Sequence, residues 1–437
     1  MRCAWAGFAI GCFGPRGDHP PRPPSSAADA ASSMEKLRKL VTEIAYTRNP
    51  DLSQLQRRLV PLLYIASSLY GTALSMRRRL YHYGLLRSHR LGVPVISVGN
   101  LSWGGNGKTP MVGFLAQWFD EIRVSPLILT RLAEYLGPRG DDASPGYAGG
   151  DEVKMLERHH VGTSVKIGVG ADRAATAACF FERHGCMDYH SVCSGRLCHD
   201  LELDASSNSN KIGIVILDDG MQHWSLCRDL EIVMINGVTL WGNNQLIPLG
   251  PLRETLSALA RADVAVIHNA DLVSDKQLKH TELVMRQVKE DLPIYYTRLA
   301  PSYFFEVGNC LFKFPLSTIQ NMVVLCFSLI LETQDLEIIF LQLGPSHVDQ
   351  LVFSDHHFFQ KKDIEKIRER LGNLQDEFGS KPIAVVTEKD YDRDSTVLEH
   401  LLLASKFLTS CISMRIVKDN WLEQRPKKKL DHFLWIC

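Results

Sequence analysis

From Gly104 to Thr109 the chain reads GGNGKT, a run whose residue types suit one task, the gripping of a polyphosphate. Gly104, Gly105 and Gly107, with Asn106 between them, allow backbone dihedrals and close approaches that side chains would block. Amide N–H groups and a helix N-terminus can then surround phosphate oxygens. Lys108 is placed to neutralise the β- and γ-phosphates, and the Thr109 hydroxyl to meet Mg²⁺. Pro110 is harmless in a first helical turn, where its missing N–H has no helical partner. The strict form of the pattern carries glycine five residues before Gly107, where this chain has Ser102. A hard cation also wants carboxylate oxygen, and the apolar run Ile212-Gly213-Ile214-Val215-Ile216-Leu217 ends in Asp218 and Asp219, as a strand that places an acid near the metal would. Adjacent acids point in opposite directions, so one of the two is expected to touch the metal directly.

These groups work only if regular elements hold them. Val93 to Val98 is a short β-branched run of the kind that forms a buried parallel strand, and it feeds the glycine-rich loop. Beyond the loop, Met111, Phe114, Leu115, Trp118 and Phe119 recur at helical spacing, so the loop opens a helix. Ile212 to Leu217 reads as a second core strand that delivers its acids at its C-terminal end, where α/β sheets present ligands. Further on, Met322 to Phe327 and Ile383 to Thr387 read as strands and Lys361 to Leu374 as a charged amphipathic helix. The fold class is therefore α/β: a P-loop NTPase-like parallel-sheet lobe over 91–300, a second, smaller α/β lobe over 301–437, and an N-terminal helical, membrane-associated segment over 34–90.

The whole chain has 437 residues, enough for two or three domains. Its 49 Lys and Arg balance 49 Asp and Glu, which argues against a globally basic nucleic-acid binder and leaves charged recognition to local patches. A hydrophobic content of 45% with 22% charged residues excludes an intrinsically disordered chain. The cysteines are scattered without the dense framework of a small secreted domain, so a reducing compartment is the easier reading. Residues 1–33 hold Arg2, Arg16 and Arg22, a Pro-rich stretch from Pro20 to Pro24 and an Ala/Ser run against only Asp18 and Asp29. That composition fits an organelle transit peptide better than a secretory signal, though Trp5 to Phe13 is apolar enough to keep the secretory option open. Leu59 to Met76 contains no charge and lies between Arg57-Arg58 and Arg77-Arg78-Arg79. Pro61, Ser67, Ser68 and Gly71 weaken it as a full span. The basic flanks, with Tyr64, Tyr70, Tyr81 and Tyr83, suit a helix lying in the headgroup layer.

Six motifs then follow one another: SVGNLSWGGNGKTP, GGDEVKML (149–156), VGADRAATA (169–177), DDGMQH (218–223), IPLGPLRE (247–254) and SDHHFF (354–359). Together they resemble the tetraacyldisaccharide 4′-kinase family of the lipid A pathway, in its plant organellar form, from about Leu59 to the C-terminus. That family carries Ser or Thr at the position of Ser102. The resemblance implies phosphorylation by ATP, with Mg²⁺, of the 4′-hydroxyl of an acylated glucosamine disaccharide 1-phosphate held at a membrane surface. It implies an organelle, mitochondrion before plastid, and no protein partner is predicted. Asp151 matches the family's proposed base and His356 its partner, the histidine arriving from the second lobe when the lobes close. Arg173 and Arg253 match arginines the family places at the active site, where a guanidinium stabilises charge on the transferred group. Glu152, Gln222 and His223 match motif positions without an assigned step.

Three stretches depart from the family: an insertion at 132–145, an irregular stretch from Cys186 to Asn210, and a glycine-poor segment from Cys326 to Gly344. Cys186, His190, Cys193, Cys198 and His199 lack the short paired spacing of a closed zinc site. Two other readings remain open at this point. A P-loop GTPase switch or metallochaperone lacks its guanine-reading motif here, since Asn269-Ala270-Asp271 and Thr387-Glu388-Lys389-Asp390 only approach it. A catalytically impaired splice form, kept as an interaction protein, would account for the departures.

Overall fold

The structure is a computed structural model. It describes residues 37–47, 53–131, 151–187, 210–328, 340–353, 361–393, 398 and 406–416. The expectations placed on 1–33, on 132–145, on most of Cys186 to Asn210 and on His356 lie outside the described residues.

Short apolar runs become strands and longer periodic ones become helices. In chain order they are α1 (37–46), α2 (Gln54–His82), β1 (Val95–Asn100), α3 (Lys108–Glu121), β2 (Ser125–Thr130), α4 (Asp151–His159), β3 (Lys166–Val169), α5 (Arg173–His184), β4 (Ile212–Asp218), β5 (Leu230–Asn236), β6 (Val264–His268), α6 (Asp275–Val288), β7 (Ile294–Glu306), β8 (Asn309–Phe314), β9 (Val323–Ser328), β10 (His347–Val352), α7 (Lys361–Phe378), β11 (Ile383–Thr387), α8 (Glu388–Arg393) and β12 (Lys406–Ile416). The strands form one sheet in the order β10-β9-β11-β12-β7-β6-β5-β1-β4-β2-β3, with β8 on β7. Pairing is parallel from β3 to β7 and again from β10 to β12. The two parallel halves meet where β12 runs antiparallel to the long strand β7.

Strands buried on both faces must be apolar throughout, and β1, β2, β4, β5 and β6 are buried at every position. Helix α3 lays Met111, Val112, Leu115 and Phe119 on Ile96, Val98, Ile214 and Ile232. The other face of the sheet carries a second cluster around Leu101, Met221, Val233 and Ile267. A separate set around Phe305, Leu325, Phe327, Ile367 and Val386 serves the second half. The structure thus bears out the α/β class, and β1, α3, β4, β9, β11 and α7 fall where the sequence places them.

Helix α2 contains the uncharged run and continues beyond it, from Gln54 to His82. Ser53 and Gln56 close a capping box at its start, and Pro61 lies inside it. One stripe touches the protein: the Ser67 hydroxyl donates to Leu246 O at 2.9 Å and the Tyr70 hydroxyl to Arg253 O at 2.9 Å. Leu62, Ile65, Leu69 and Met76 are exposed on the helix at 59–68%. By length and composition α2 could cross a bilayer, with a mean hydropathy of 1.4 over its most apolar window.

Candidate active site

Each parallel strand near the middle of the sheet ends on a polar residue: β1 on Asn100, β2 on Thr130, β4 on Asp218, β5 on Asn236 and β6 on His268. Residues at the C-terminal edge line the crevice outside the sheet, which makes it the place for a ligand. The loop between β1 and α3 crosses this edge, and its own polar groups brace it. Asn106, buried, donates through Nδ2 to the carbonyls of Ser102 and Gly104, each at 3.2 Å, and accepts Asn236 N–H at 3.2 Å through Oδ1. Asn236 returns a bond to Gly105 O at 3.0 Å. Ser102 is buried and points its hydroxyl at Asn106, so it belongs to the brace and needs no glycine conformation. The side chain of Asn106 is consequently turned into the loop, and only its backbone is left to face a phosphate.

Gly107 caps α3 in the left-handed region with φ +74°, and a Cβ there would sit 2.6 Å from the His268 ring. That ring is a buried floor beneath the loop, bonded through Nδ1 to the Thr297 hydroxyl at 3.1 Å. Burial pushes the His268 pKa down to about 4. Because the folded value lies below the ordinary 6.5, the unfolded chain takes up this proton first. The His268 contribution to stability is full above pH 6.5 and is lost as pH falls toward 4. We expect thermal melts to show about 3 kcal/mol of acid-labile stability in that window. His223 and His160 are lowered to about 4 as well, so His268→Gln should remove only the His268 share of this dependence, and an unchanged pH dependence in that variant would show that the buried ring contributes none.

Lys108 opens α3 and reaches inward, its side chain 14% exposed and its ammonium 3.7 Å from Asp219 Oδ1. Burial depresses its pKa, helped by Arg253, while Asp219, Asp218 and Glu152 oppose the shift. Asp219 holds an unusual backbone with φ +52°. Non-glycine residues are uncommon in that region, Asp less so than most, and a residue held there is often found at a working site. The constraint is visible. Gly220 N–H donates to Val98 O, and Arg228 donates to Gly220 O at 2.8 Å and Met221 O at 3.1 Å. A Cβ on Gly220 would meet Ser97 Oγ at 2.3 Å, so the turn is pressed against β1. Arg228 is fixed in turn by Glu231 at 2.8 Å, and Glu231 accepts Ser97 Oγ–H at 2.7 Å.

The turn aims Asp219 at cations. Arg253 donates to both of its carboxylate oxygens at 2.7 Å, and Arg173 donates to its carbonyl at 3.3 Å. Burial alone would raise the Asp219 pKa, but Lys108, Arg253 and Arg173 outweigh it and hold the carboxyl below its ordinary range. Asp218, one residue earlier, is different. It is fully buried, Thr130 donates to its Oδ2 at 3.3 Å, and its Oδ1 has no hydrogen-bond partner. Burial, then the charge of Glu152, raise its pKa to about 6. An orphaned buried carboxylate oxygen beside the first turn of α3, where Thr109 is buried, is what a hard cation's ligand requires. Mg²⁺ therefore fits the residues present.

Gln222 donates to Asn100 O at 3.0 Å and to Glu254 at 3.3 Å, so it ties the acidic turn to the loop that carries Arg253. His223 bonds the Ser225 hydroxyl at 2.9 Å. Burial and the charges of Arg173, Arg228 and Arg77 lower its pKa to about 4, which leaves it neutral at pH 7. Glu152 lies in α4, close enough to bias both Lys108 and Asp218. Asp151 begins the same helix, and its side chain lies outside what the structure describes. The structure therefore brings together Lys108, Thr109, Glu152, Arg173, Asp218, Asp219 and Arg253. Sequence reasoning missed Thr130, Asn236, His268, Arg228 and Glu254. For the first three a signal was available, a polar residue closing an apolar strand. Glu254 closes the motif IPLGPLRE without being singled out there, and Arg228 carried no signal.

A parallel sheet with a glycine-rich loop feeding a helix from its first strand, a buried lysine at that helix's start and an acid at the end of the neighbouring strand define a P-loop phosphate-binding α/β protein. Comparison with known proteins narrows the class. Residues 59–430 match the family model described as "Tetraacyldisaccharide-1-P 4'-kinase", and the chain belongs to that family. It is 52% identical to the "Probable tetraacyldisaccharide 4'-kinase, mitochondrial" of Arabidopsis thaliana over 84% of this chain and 90% of that one. It is 30% identical to the "Tetraacyldisaccharide 4'-kinase" of Halothermothrix orenii over 70% of this chain and 77% of that one. The fold is similar to that of a crystal structure of LpxK from Aquifex aeolicus, described as an apo form in complex with ATP. The TM-score is 0.54 at 22% identity, covering 87% of this chain and all of the other.

Proposed function

We propose that this protein transfers the γ-phosphate of ATP to the 4′-hydroxyl of a tetraacylated glucosamine disaccharide 1-phosphate, giving lipid IVA. The observation that carries the reading is the cluster of Lys108, Asp218, Asp219 and Arg253 at the mouth of the phosphate loop, in a chain of this family. The backbone of Gly104, Gly105, Asn106 and Gly107 would receive the triphosphate, with Lys108 neutralising it. Mg²⁺ would be held by Thr109 and Asp218, with Asp219 beside them, and would supply charge neutralisation to the phosphates. Arg173 and Arg253 already converge on the Asp219 turn, so they can bear on charge that spreads over the transferred group without first being gathered. Asp151, two turns before the end of α4, would accept the proton of the attacking hydroxyl, with His356 as its partner.

The reading extends to organisation and place. Two lobes, 91–300 and 301–437, follow a leader at 1–33 and a membrane-associated segment at 34–90. The apolar clusters divide in the same way, one set drawn from residues up to Tyr296 and the other from Tyr303 onward. A tetraacylated substrate leaves a bilayer at a cost of about 0.8 kcal/mol per CH₂, so the enzyme must work at the membrane surface. The exposed apolar face of α2, anchored to the Arg253 loop by Tyr70, is suited to bring the site there. The name of the Arabidopsis relative and the basic leader support a mitochondrial, membrane-associated enzyme before a plastid one. The test is transfer of label from ATP to the 4′-position of a tetraacyldisaccharide 1-phosphate in detergent, with and without Mg²⁺. ATP- and Mg²⁺-dependent product is the expected result. Nucleotide binding with preference for GTP and no transfer would replace the kinase by a switch.

A further inference from the structure

Outside the phosphate loop, a buried ionic cluster joins the two halves of the chain through the helix that begins at Asp151. Arg158, in the last turn of α4, donates to Asp392 Oδ1 at 2.7 Å and Oδ2 at 2.8 Å, and to Glu388 Oε1 at 2.5 Å. Glu388 also meets His159 Nε2 at 2.6 Å, and Lys154 donates to Asp392 O at 3.3 Å. The side chains of Arg158, Glu388 and Asp392 are 17%, 4% and 7% exposed. The guanidinium also has aromatic neighbours. Its carbon lies 4.8 Å from the centre of the Phe305 ring on β7 and 5.4 Å from that of Tyr391 on α8, and those rings meet edge to face at 5.3 Å.

We propose that Arg158 is a positioning residue, whose clasp on Glu388 and Asp392 fixes α4 against the second half of the chain and so sets where Asp151 and Glu152 stand during transfer. The inference deepens the kinase reading and rests on it.

Stability alone is a poor explanation for such a cluster. Withdrawing three charged groups from water costs as much as their attraction returns, and apolar residues of similar volume would hold two elements together as well. Two carboxylates share this one guanidinium, and burial pushes Asp392 up to about 7 against the pull of Arg158. What a fork of donors between two acids and two rings supplies is direction. Helix α4 needs direction because it is a wedge. Val153 and Leu156 are buried, Leu156 in the core of the first half, while Lys154 and Arg158 face α8. α8 follows β11 without a break, since Thr387 ends the strand and Glu388 opens the helix. Any tilt of the second half therefore passes through Glu388 to the C-terminal end of α4. Seven residues separate Arg158 from Asp151, about 10 Å of rigid helix, which carries the tilt to the acids.

The test compares wild type with Arg158→Lys, which keeps the charge and loses the fork, Arg158→Met, which loses both, and Glu388→Gln, which leaves the Asp392 pair intact. We expect kcat for lipid phosphorylation to fall by about 10- to 100-fold in Arg158→Met, with partial recovery in Arg158→Lys. ATP affinity should stay within about twofold, because the phosphate loop makes none of these contacts. Hydrogen exchange should accelerate across 151–159 and stay unchanged in β1 and β4. An unchanged kcat, or a kcat that falls only in step with ATP affinity, would overturn the proposal. Glu388→Gln covers the case in which both Arg158 variants fail to fold, and faster exchange in α4 with lowered kcat is again the supporting result. Should wild type transfer no phosphate, the kinase reading fails by itself. The exchange arm then decides the clasp: acceleration confined to 151–159 upholds it and unchanged exchange sinks it.

Discussion

Lys108→Ala should lower kcat for phosphoryl transfer by about 10³-fold or more, some 4 kcal/mol of transition-state stabilisation, while leaving the protein folded. The size follows from where the charge sits. The ammonium is nearly enclosed, with burial already depressing its pKa, so little water stands between it and a bound phosphate. In such a site a fixed cation acts at low effective dielectric and needs no reorganisation as charge develops. The fold should survive because Asp219 keeps Arg253 on both carboxylate oxygens and the loop keeps its Asn106 and Asn236 brace. Arg253 cannot substitute, since it approaches from the loop after Pro248 and does not stand at the N-terminus of α3 as Lys108 does. Steady-state kinetics at saturating lipid, with the melting temperature measured alongside, checks this. A variant within tenfold of wild type would mean that the triphosphate lies elsewhere.

The phosphate loop was legible in the sequence because its function and its local geometry depend on the same few residues. Glycines, a lysine and a threonine at fixed spacing need only a strand before and a helix after, and both are written in the periodicity of 93–98 and 110–119. The acids at 218 and 219 were legible for a related reason, as the polar end of an apolar strand. What the sequence could not show is which acid does what. Asp218 and Asp219 are adjacent, yet one keeps an unpartnered oxygen in the core and the other is held by arginines, a difference made by the left-handed turn at Asp219. That turn depends on Ser97 of β1, Glu231 of β5 and Arg228 just before β5, which come together only when β1 pairs with β5. The clasp of Arg158 on Glu388 and Asp392 is harder still. Its members stand 230 and 234 residues apart in the chain, and nothing local marks them as partners. The antiparallel junction of β7 and β12 also had no signal, because a single sheet running through both halves is a property of the pairing and not of either strand.

Asp218→Asn is expected to separate stability from activity, with transfer falling by about 10²- to 10³-fold while the protein becomes harder to unfold. The sign follows from the raised pKa. In the folded chain Asp218 holds its proton up to about pH 6, whereas in the unfolded chain it loses it near the ordinary 3.8. The folded state is therefore favoured at low pH, stability declines as pH rises through that window, and above about 6 the whole penalty is present, of the order of 2–3 kcal/mol. Asparagine keeps the shape and removes the charge. Thr130 Oγ, which now donates to Oδ2, can go on donating to the amide oxygen, and the charges of Glu152 and Asp219, which now disfavour a carboxylate here, no longer meet one. The same exchange removes the orphaned oxygen that suits a hard cation, so the demand for Mg²⁺ should rise together with the loss of rate. Melting temperature measured from pH 4 to 8, beside rate as a function of Mg²⁺, tests both halves. Wild type and variant should melt alike at pH 4 and diverge above 6, with the variant higher. If Asp218→Asn is less stable at pH 8, the carboxylate is acting as a structural anchor. If its Mg²⁺ dependence is unchanged, Asp219 alone serves the metal.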